Sequence, residues 1–182
     1  SRRWSIKHID VKRAYFNAKV LREIYVEVDE RDKLPGEEDC VGRLNYAMYG
    51  TRDAASAWEA HYTDLMISGG FEQGKYSPCV FRKGSTVVTI HGDDFTITGP
   101  DDEIEELEKH IKKSLDVKVK MIDPNRLGDE LIVLNRRIVV TSEGYEYEAD
   151  AKHVKRVLKE LDLDKENAKA STITGVKLPK EE

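Results

Sequence analysis

The sequence is poor in the features that mark secreted, membrane-spanning or zinc-thiolate proteins. Its two cysteines, Cys40 and Cys79, are too few and too far apart for a disulfide framework or a zinc knuckle. We expect both to be reduced thiols in the core of an intracellular protein. No apolar run reaches the ~18 residues that span a bilayer, and residues 1–5 lead into a strand pattern rather than a signal peptide.

An excess of basic residues, typical of a general nucleic-acid clamp, is also lacking. Thirty Lys and Arg stand against 35 Asp and Glu, which gives a net charge of −5 and a pI near 5.6. Two basic groups do occur: Lys118, Lys120, Arg126, Arg136 and Arg137, and Lys152, Lys155, Arg156 and Lys159. Each group alone is more typical of a solvated face, but composition leaves a local basic track open.

Strand and helix patterns alternate along the chain. Residues 5–11 alternate apolar and polar side chains, as a strand does, and residues 53–68 repeat apolar side chains at helical spacing before Gly69-Gly70. Further strands are predicted at 24–28, 40–46, 79–81, 86–90, 95–98, 117–121, 131–140 and 145–147, and further helices from an Asp101 or Asp102 cap and over 149–161. Helices interleaved with hairpins predict an α+β domain, with helices packed on one face of an antiparallel sheet.

Acidic residues occur at two places where a strand pattern ends. Asp93 and Asp94 follow Gly92 between two strand patterns, where like charges repel unless a cation neutralises them. An ordinary Asp-rich turn is the alternative interpretation. Asp10 lies between Ile9 and Val11, where a carboxylate is unfavourable unless it is paired or bound to metal. If the two strands are neighbours, Asp10 and Asp93 would face one point and could hold two metal ions ~3.5–4 Å apart.

Five segments carry a resemblance to one family. D-V-K-R-A-Y-F-N-A at 10–18 resembles D-V-x-x-A-F-L-N-G, the first polymerase motif of copia-type retrotransposon reverse transcriptases. The segments at 44–58 and 77–81 resemble their K-x-S-L-Y-G-L-K-Q-A-P-R-x-W and D-P-C-V-Y motifs. H-G-D-D at 91–94 stands in the place of Y-V-D-D, and residues 131–163 resemble the F-L-G-I-E-I … Y-I-x-x-L-L-x-x-F-G-M stretch. All five occur in the order of the family.

The resemblance implies a right-hand polymerase palm with a ferredoxin-like sheet. It implies a palm with partial fingers and a terminal hairpin and helix over residues 1–164, and a polar tail or the start of a connection over 165–182. The implied activity is RNA-directed DNA polymerisation, by two-metal nucleotidyl transfer with Mg²⁺ or Mn²⁺. The implied partners are an RNA template, a DNA primer, deoxynucleoside triphosphates and the integrase and RNase H of a Pol polyprotein, with no membrane. The implied location is the cytoplasm, or virus-like particles within it.

The same resemblance assigns roles to particular residues. Asp10, Asp93 and Asp94 would be the catalytic carboxylates and metal ligands, with the backbone carbonyl of Val11 as a further ligand. Four residues would contact the incoming nucleotide: Arg13, Ala14, Tyr15 and Asp53. The Tyr15 ring would occupy the space of a ribose 2′-hydroxyl, although taken alone it could equally be a core aromatic.

Several positions depart from the family motifs. His91 and Gly92 replace Tyr and an apolar residue, and Asp53 replaces a glutamine that contacts the nucleotide. An ionised carboxylate cannot donate a hydrogen bond and repels a triphosphate. Most of the fingers, the thumb and RNase H would lie outside this sequence. Two alternatives therefore stay open: an inactive remnant that keeps the palm as an interaction module, and a metal-dependent phosphoesterase or nucleotidyl cyclase on the same fold.

Overall fold

Eleven β-strands and three α-helices are assigned in a computed structural model, which describes residues 4–148, 151–161 and 163. The strands are β1 (Ser5–Val11), β2 (Tyr25–Glu27), β3 (Val41–Arg43), β4 (Glu72–Gln73), β5 (Val80–Lys83), β6 (Thr86–His91), β7 (Asp94–Gly99), β8 (Val117–Ile122), β9 (Glu130–Val133), β10 (Arg136–Val140) and β11 (Tyr145–Tyr147). The helices are α1 (Ala54–Ser68), α2 (Asp101–Lys112) and α3 (Ala151–Glu160). Short 3-10 helices cover Ala14–Asn17 and Glu30–Asp32. No helix within the described residues has both the length and the apolar character needed to cross a membrane.

The main sheet has six strands in the order β4-β5-β6-β7-β1-β8, and every neighbouring pair is antiparallel. Apart from β4 and β5, which lie between α1 and β6, the strands of this sheet and the first two helices follow one another along the chain as β1, α1, β6, β7, α2 and β8. This is the βαββαβ order of a ferredoxin-like unit. The predicted α+β class with an antiparallel sheet is therefore confirmed.

One face of this sheet carries the main core. Alternate residues of β1 and β7 point to the same side, so that Ile9, Phe95 and Ile97 are fully buried there. Helices α1 and α2 cover this face, with Trp58 of α1 and Ile104 of α2 in the same apolar cluster. Both helices thus pack on one side of the sheet, as the sequence predicts. We call the opposite side, which carries Ile6, His8 and Asp10 of β1, the open face.

A smaller three-stranded sheet, in the order β11-β10-β9, covers part of the open face. Ile122, Leu131 and Val140 form a second apolar cluster, against which Ile6 of β1 packs. The Tyr145 hydroxyl donates a hydrogen bond of 2.5 Å to the Trp4 carbonyl at the start of β1. Because this contact lies at the start of β1, the other end of that strand, which carries Asp10, remains accessible.

Two local predictions are wrong. Neither Asp101 nor Asp102 caps α2: Pro100 is the N-cap, its backbone is extended at φ −59° and ψ 142°, and no side chain caps the helix. Asp101 and Asp102 instead lie in the first turn, where acidic side chains stabilise the positive end of the helix dipole. Cys40 and Cys79 are exposed rather than buried, because each lies in the loop just before a strand.

The third helix is described only from Ala151, so its predicted start at residue 149 lies outside the described residues, as does the predicted tail at 165–182. The apolar residues predicted to share one face of this helix are exposed in the structure: Val154, Val157, Leu158 and Leu161.

Candidate active site

Asp10 and Asp94 lie directly opposite each other on the open face. Strand β1 pairs with β7 in a register that sets Asp10 against Asp94, and Asp10 is the last residue in that register. The Val11 amide donates a hydrogen bond of 2.9 Å to the Asp93 carbonyl. Hydrogen-bonded and non-hydrogen-bonded pairs alternate along an antiparallel ladder, so the adjacent pair, Asp10 and Asp94, is of the non-hydrogen-bonded kind. Side chains of such a pair are close, with Cα atoms about 4.5 Å apart. The two carboxylates therefore share one small region of the surface.

Asp93 occupies a different position, at the tip of the β6–β7 hairpin. The two-residue turn consists of Gly92 and Asp93, and Gly92 has a φ of 62° whereas Asp93 has no positive φ. Positive φ at the first turn position alone is the type II′ pattern, which glycine favours there. The Trp58 indole donates a hydrogen bond of 2.7 Å to the Gly92 carbonyl and so fixes the turn to α1. Asp93 is exposed, and the register sets Asp94, not Asp93, against Asp10.

Each of the facing carboxylates has a basic neighbour. His8 Nε2 lies 3.1 Å from Asp94 Oδ1, and Lys118 Nζ lies 3.9 Å from Asp10 Oδ2. The His8 side chain is only 12% exposed, whereas that of Lys118 is 71% exposed. The sequence motifs do not single out His8, and its contact with Asp94 is seen only in the structure. The sequence held a signal for it, because His8 is two residues from Asp10 on an alternating strand and must share its face.

A cleft of about 610 Å³ opens over this pair. It is lined from the main sheet by His8, Asp10, Asp94, Lys118 and Lys120, and from the β9–β10 hairpin by Ile132, Leu134 and Asn135. Leu134 and Asn135 form the tip of that hairpin with φ of 49° and 61°. Leucine is rare in this left-handed region, and such conformations often accompany functional surfaces. The cleft thus combines acidic, basic and apolar walls.

The residues assigned to the nucleotide by resemblance follow directly on β1. Arg13 is exposed in the left-handed region at φ 52°, and Ala14 is buried. The partly buried Tyr15 ring packs on the Tyr49 ring with centroids 4.5 Å apart. The Asn17 amide donates to the carbonyls of Lys12, Arg13 and Ala14 and so holds this turn in shape. Tyr15 therefore has a fixed packing partner on one side.

Asp53 stands at the N-cap of α1 but makes no side-chain capping bond. Its carboxylate instead accepts a short hydrogen bond from the Arg22 guanidinium. The ion pair offsets the negative charge that would otherwise repel a triphosphate.

The donor chemistry of the facing pair fits a hard divalent cation. Mg²⁺ takes oxygen ligands, and it is commonly bound by one or two carboxylates together with waters and substrate phosphates. Asp10 and Asp94 supply two such carboxylates on one face. Over residues 4–148, 151–161 and 163, no group of three or more His, Cys, Asp or Glu is arranged to hold a metal ion. The facing pair thus supplies two oxygen ligands of the kind that Mg²⁺ takes.

Comparison with known proteins identifies the family. A family described as reverse transcriptase (RNA-dependent DNA polymerase) matches residues 1–175. The chain belongs to this reverse transcriptase family. Its curated relatives include the retrovirus-related Pol polyprotein from transposon TNT 1-94 of Nicotiana tabacum, 26% identical over 93% of this chain. Another is the Pol polyprotein from transposon RE2 of Arabidopsis thaliana, 27% identical over 55% of the chain. These relatives confirm the resemblance to copia-type transposon reverse transcriptases.

The fold likeness extends to a solved telomerase. Telomerase from Candida albicans, in a complex with a fragment of telomeric RNA, matches 82% of this chain and 31% of its own, at 11% identity and a TM-score of 0.50. At this identity the match shows the fold alone, and it confirms a palm-type fold for the reverse transcriptase chain. The chain spans 13% of the length of the tobacco relative and 7% of the Arabidopsis one.

Proposed function

We propose that this chain is the palm of an RNA-directed DNA polymerase from a copia-type retrotransposon, which extends a DNA primer on an RNA or DNA template. The observation that carries the proposal is the Asp10–Asp94 pair on the open face of a sheet of this family. Residues 1–164 would form the palm with part of the fingers and the terminal hairpin and helix. Integrase and RNase H would belong to the same parent polyprotein.

Asp10 and Asp94 would hold the cations, with Asp93 and the Val11 carbonyl as further ligands. Two bound Mg²⁺ or Mn²⁺ ions would activate the primer 3′-hydroxyl and stabilise the negative charge of the leaving group. In the reaction the primer 3′-oxygen bonds to the α-phosphorus, the bond to pyrophosphate breaks and the hydroxyl proton passes to solvent. The contribution of the chain is to place carboxylates where positive charge is needed.

The turn after β1 would bind the incoming nucleotide. The exposed Arg13 guanidinium can donate to phosphate oxygens, and Tyr15, which packs on Tyr49, can present a ring edge to the sugar. A ring fixed in this way would exclude a 2′-hydroxyl by occupying its space. Asp53 would influence the triphosphate only weakly, because Arg22 offsets its charge.

Primer extension by the parent polyprotein tests the proposal. Asp10→Asn and Asp94→Asn should each reduce extension to background, because each removes a charge that holds the cations. Asp64→Asn, an exposed carboxylate of α1, is the matched control and should extend primers normally. Tyr15→Ala should keep extension but lose discrimination against ribonucleotides. Full extension by Asp94→Asn would refute the catalytic assignment.

One observation favours a second candidate, a catalytically inactive remnant that keeps the palm as an interaction module. Lys118 Nζ lies 3.9 Å from Asp10 Oδ2, where it already offsets part of the negative charge that a cation would neutralise. If the wild-type polyprotein fails to extend primers and Asp53→Gln restores extension, the remnant replaces the enzyme as the better account.

A further inference from the structure

We propose that His8 is a positioning residue, which orients the Asp94 carboxylate toward a divalent cation shared with Asp10. The inference rests on the proposed function, since it requires that the carboxylate pair binds metal. Unlike Asp10 and Asp94, His8 would not touch the cation itself. It would act through its 3.1 Å contact with the Asp94 carboxylate.

The position of His8 follows from the sheet. His8 pairs with Thr96 across β1 and β7, and Asp94 is two residues from Thr96 on the same side. This diagonal relation brings His8 Nε2 to 3.1 Å from Asp94 Oδ1. The imidazole is packed, with 12% of the side chain exposed, so its orientation is set by the fold rather than by solvent.

The hydrogen-bonding pattern of the ring gives the contact a direction. Nδ1 of His8 is buried, and no partner for it is found among the described residues. A buried donor without an acceptor is costly, so the favourable tautomer carries its hydrogen on Nε2, the nitrogen that lies 3.1 Å from the Asp94 carboxylate. The contact is made to Oδ1 of the carboxylate, and His8, Asp10 and Asp94 line the same cleft.

The two carboxylates differ in how firmly they are held. Lys118, the neighbour of Asp10, is 71% exposed and lies at 3.9 Å, so it is a solvated counter-charge. Carboxylates that bind metal are usually hydrogen-bonded on their far side, and loss of such a partner costs about 10–100-fold in metal affinity. His8 is placed to be this partner for Asp94.

Manganese binding to the 182-residue chain tests the inference without any need for activity. The chain is titrated with Mn²⁺, and free Mn²⁺ is measured by electron paramagnetic resonance. His8→Leu removes the donor and should weaken binding by about tenfold. His8→Gln keeps an N–H donor and should bind within about threefold of wild type. His153→Leu removes an exposed histidine of α3 and controls for incidental binding by imidazole.

The outcomes separate this inference from the proposed function. If wild type and Asp94→Asn bind Mn²⁺ equally, the metal site itself is wrong. If Asp94→Asn loses binding but His8→Leu matches wild type, the site stands and the role of His8 is overturned. Equal losses in His8→Gln and His8→Leu would also overturn it, because a polar donor beside Asp94 would then not be what matters. Thermal melts in EDTA verify folding, and His8→Phe replaces His8→Leu if the latter does not fold.

Discussion

The two faces of the main sheet are built from the same strands but differ in role: one forms the core and the other lines the cleft. On β1 and β7, Ile9, Phe95 and Ile97 point under the helices and are fully buried. Their neighbours in sequence, Asp10 and Asp94, point to the open face and line the cleft. Because side chains alternate along a strand, residues that stabilise the fold and residues that carry the chemistry are separated by a single position.

Each face also contains an exception. Lys7 lies on the helix-covered face and is 5% exposed, where it forms an ion pair with Glu108 of α2. Ile6 lies on the open face and packs against the small sheet. Whether a residue on either face is buried therefore depends on the element that covers it and not on its polarity alone. Substitutions of neighbouring residues can test how complete the separation is.

The largest expected effect comes from the covered face. Phe95→Ala should lower the free energy of unfolding by about 3–5 kcal/mol, because it leaves a cavity among Trp58, Tyr62 and the sheet. Thr96→Ala, one residue later on the open face, should cost less than about 1 kcal/mol. Urea unfolding followed by circular dichroism measures both. Similar losses in the two variants would show that the open face is not free of structural roles.

The sequence predicts this alternation well because it is local. The pattern of residues 5–11 defines β1 and its two faces, and the spacing of residues 53–68 defines α1 to within one residue. The partner of Asp10 could not be predicted, because the register between β1 and β7 depends on pairing between segments far apart in the chain. A shift of one residue in that register decides whether Asp93 or Asp94 faces Asp10. The ion pair of Asp53 with Arg22 could not be predicted either, because it also joins segments that are distant in the sequence.

An intermediate effect is expected at Lys7, the buried charged residue on the helix-covered face. Lys7→Met should lower the free energy of unfolding by about 2 kcal/mol, less than the ~3–5 kcal/mol typical of a broken buried pair, because Lys112 also binds Glu108. The double variant Lys7→Met with Glu108→Leu should recover most of the loss, since no unpaired charge remains. Urea unfolding compares the variants. If the single change costs nothing, the ion pair does not stabilise this face.

The same ion pair predicts a pH dependence. Burial raises the pKa of Glu108, but hydrogen bonds from Lys112 and Lys7, with the charges of both lysines, outweigh burial and hold that pKa below its ordinary value. A carboxyl with a lowered pKa stabilises the fold above its unfolded pKa, and this contribution is lost as pH falls through the folded value. Wild type should therefore be more stable than Glu108→Gln at pH 7, and the difference should shrink below about pH 4.5. A difference that is constant from pH 7 to pH 3 would contradict this.

The smallest expected effect is on the open face, and its sign is the informative quantity. Two carboxylates opposite each other destabilise a strand pair by an amount on the order of 0.2–1 kcal/mol, and His8 and Lys118 offset only part of this repulsion. Asp94→Asn removes the repulsion and keeps an oxygen beside His8. In EDTA it should therefore be slightly more stable than wild type, whereas Asp64→Asn should be unchanged. With Mn²⁺ the order should reverse, because only wild type gains the free energy of metal binding. If Asp94→Asn is less stable than wild type in EDTA, the contact with His8 outweighs the repulsion. Asp94 would then stabilise the fold, and a residue of the open face would have a structural role as well as the proposed metal-binding one.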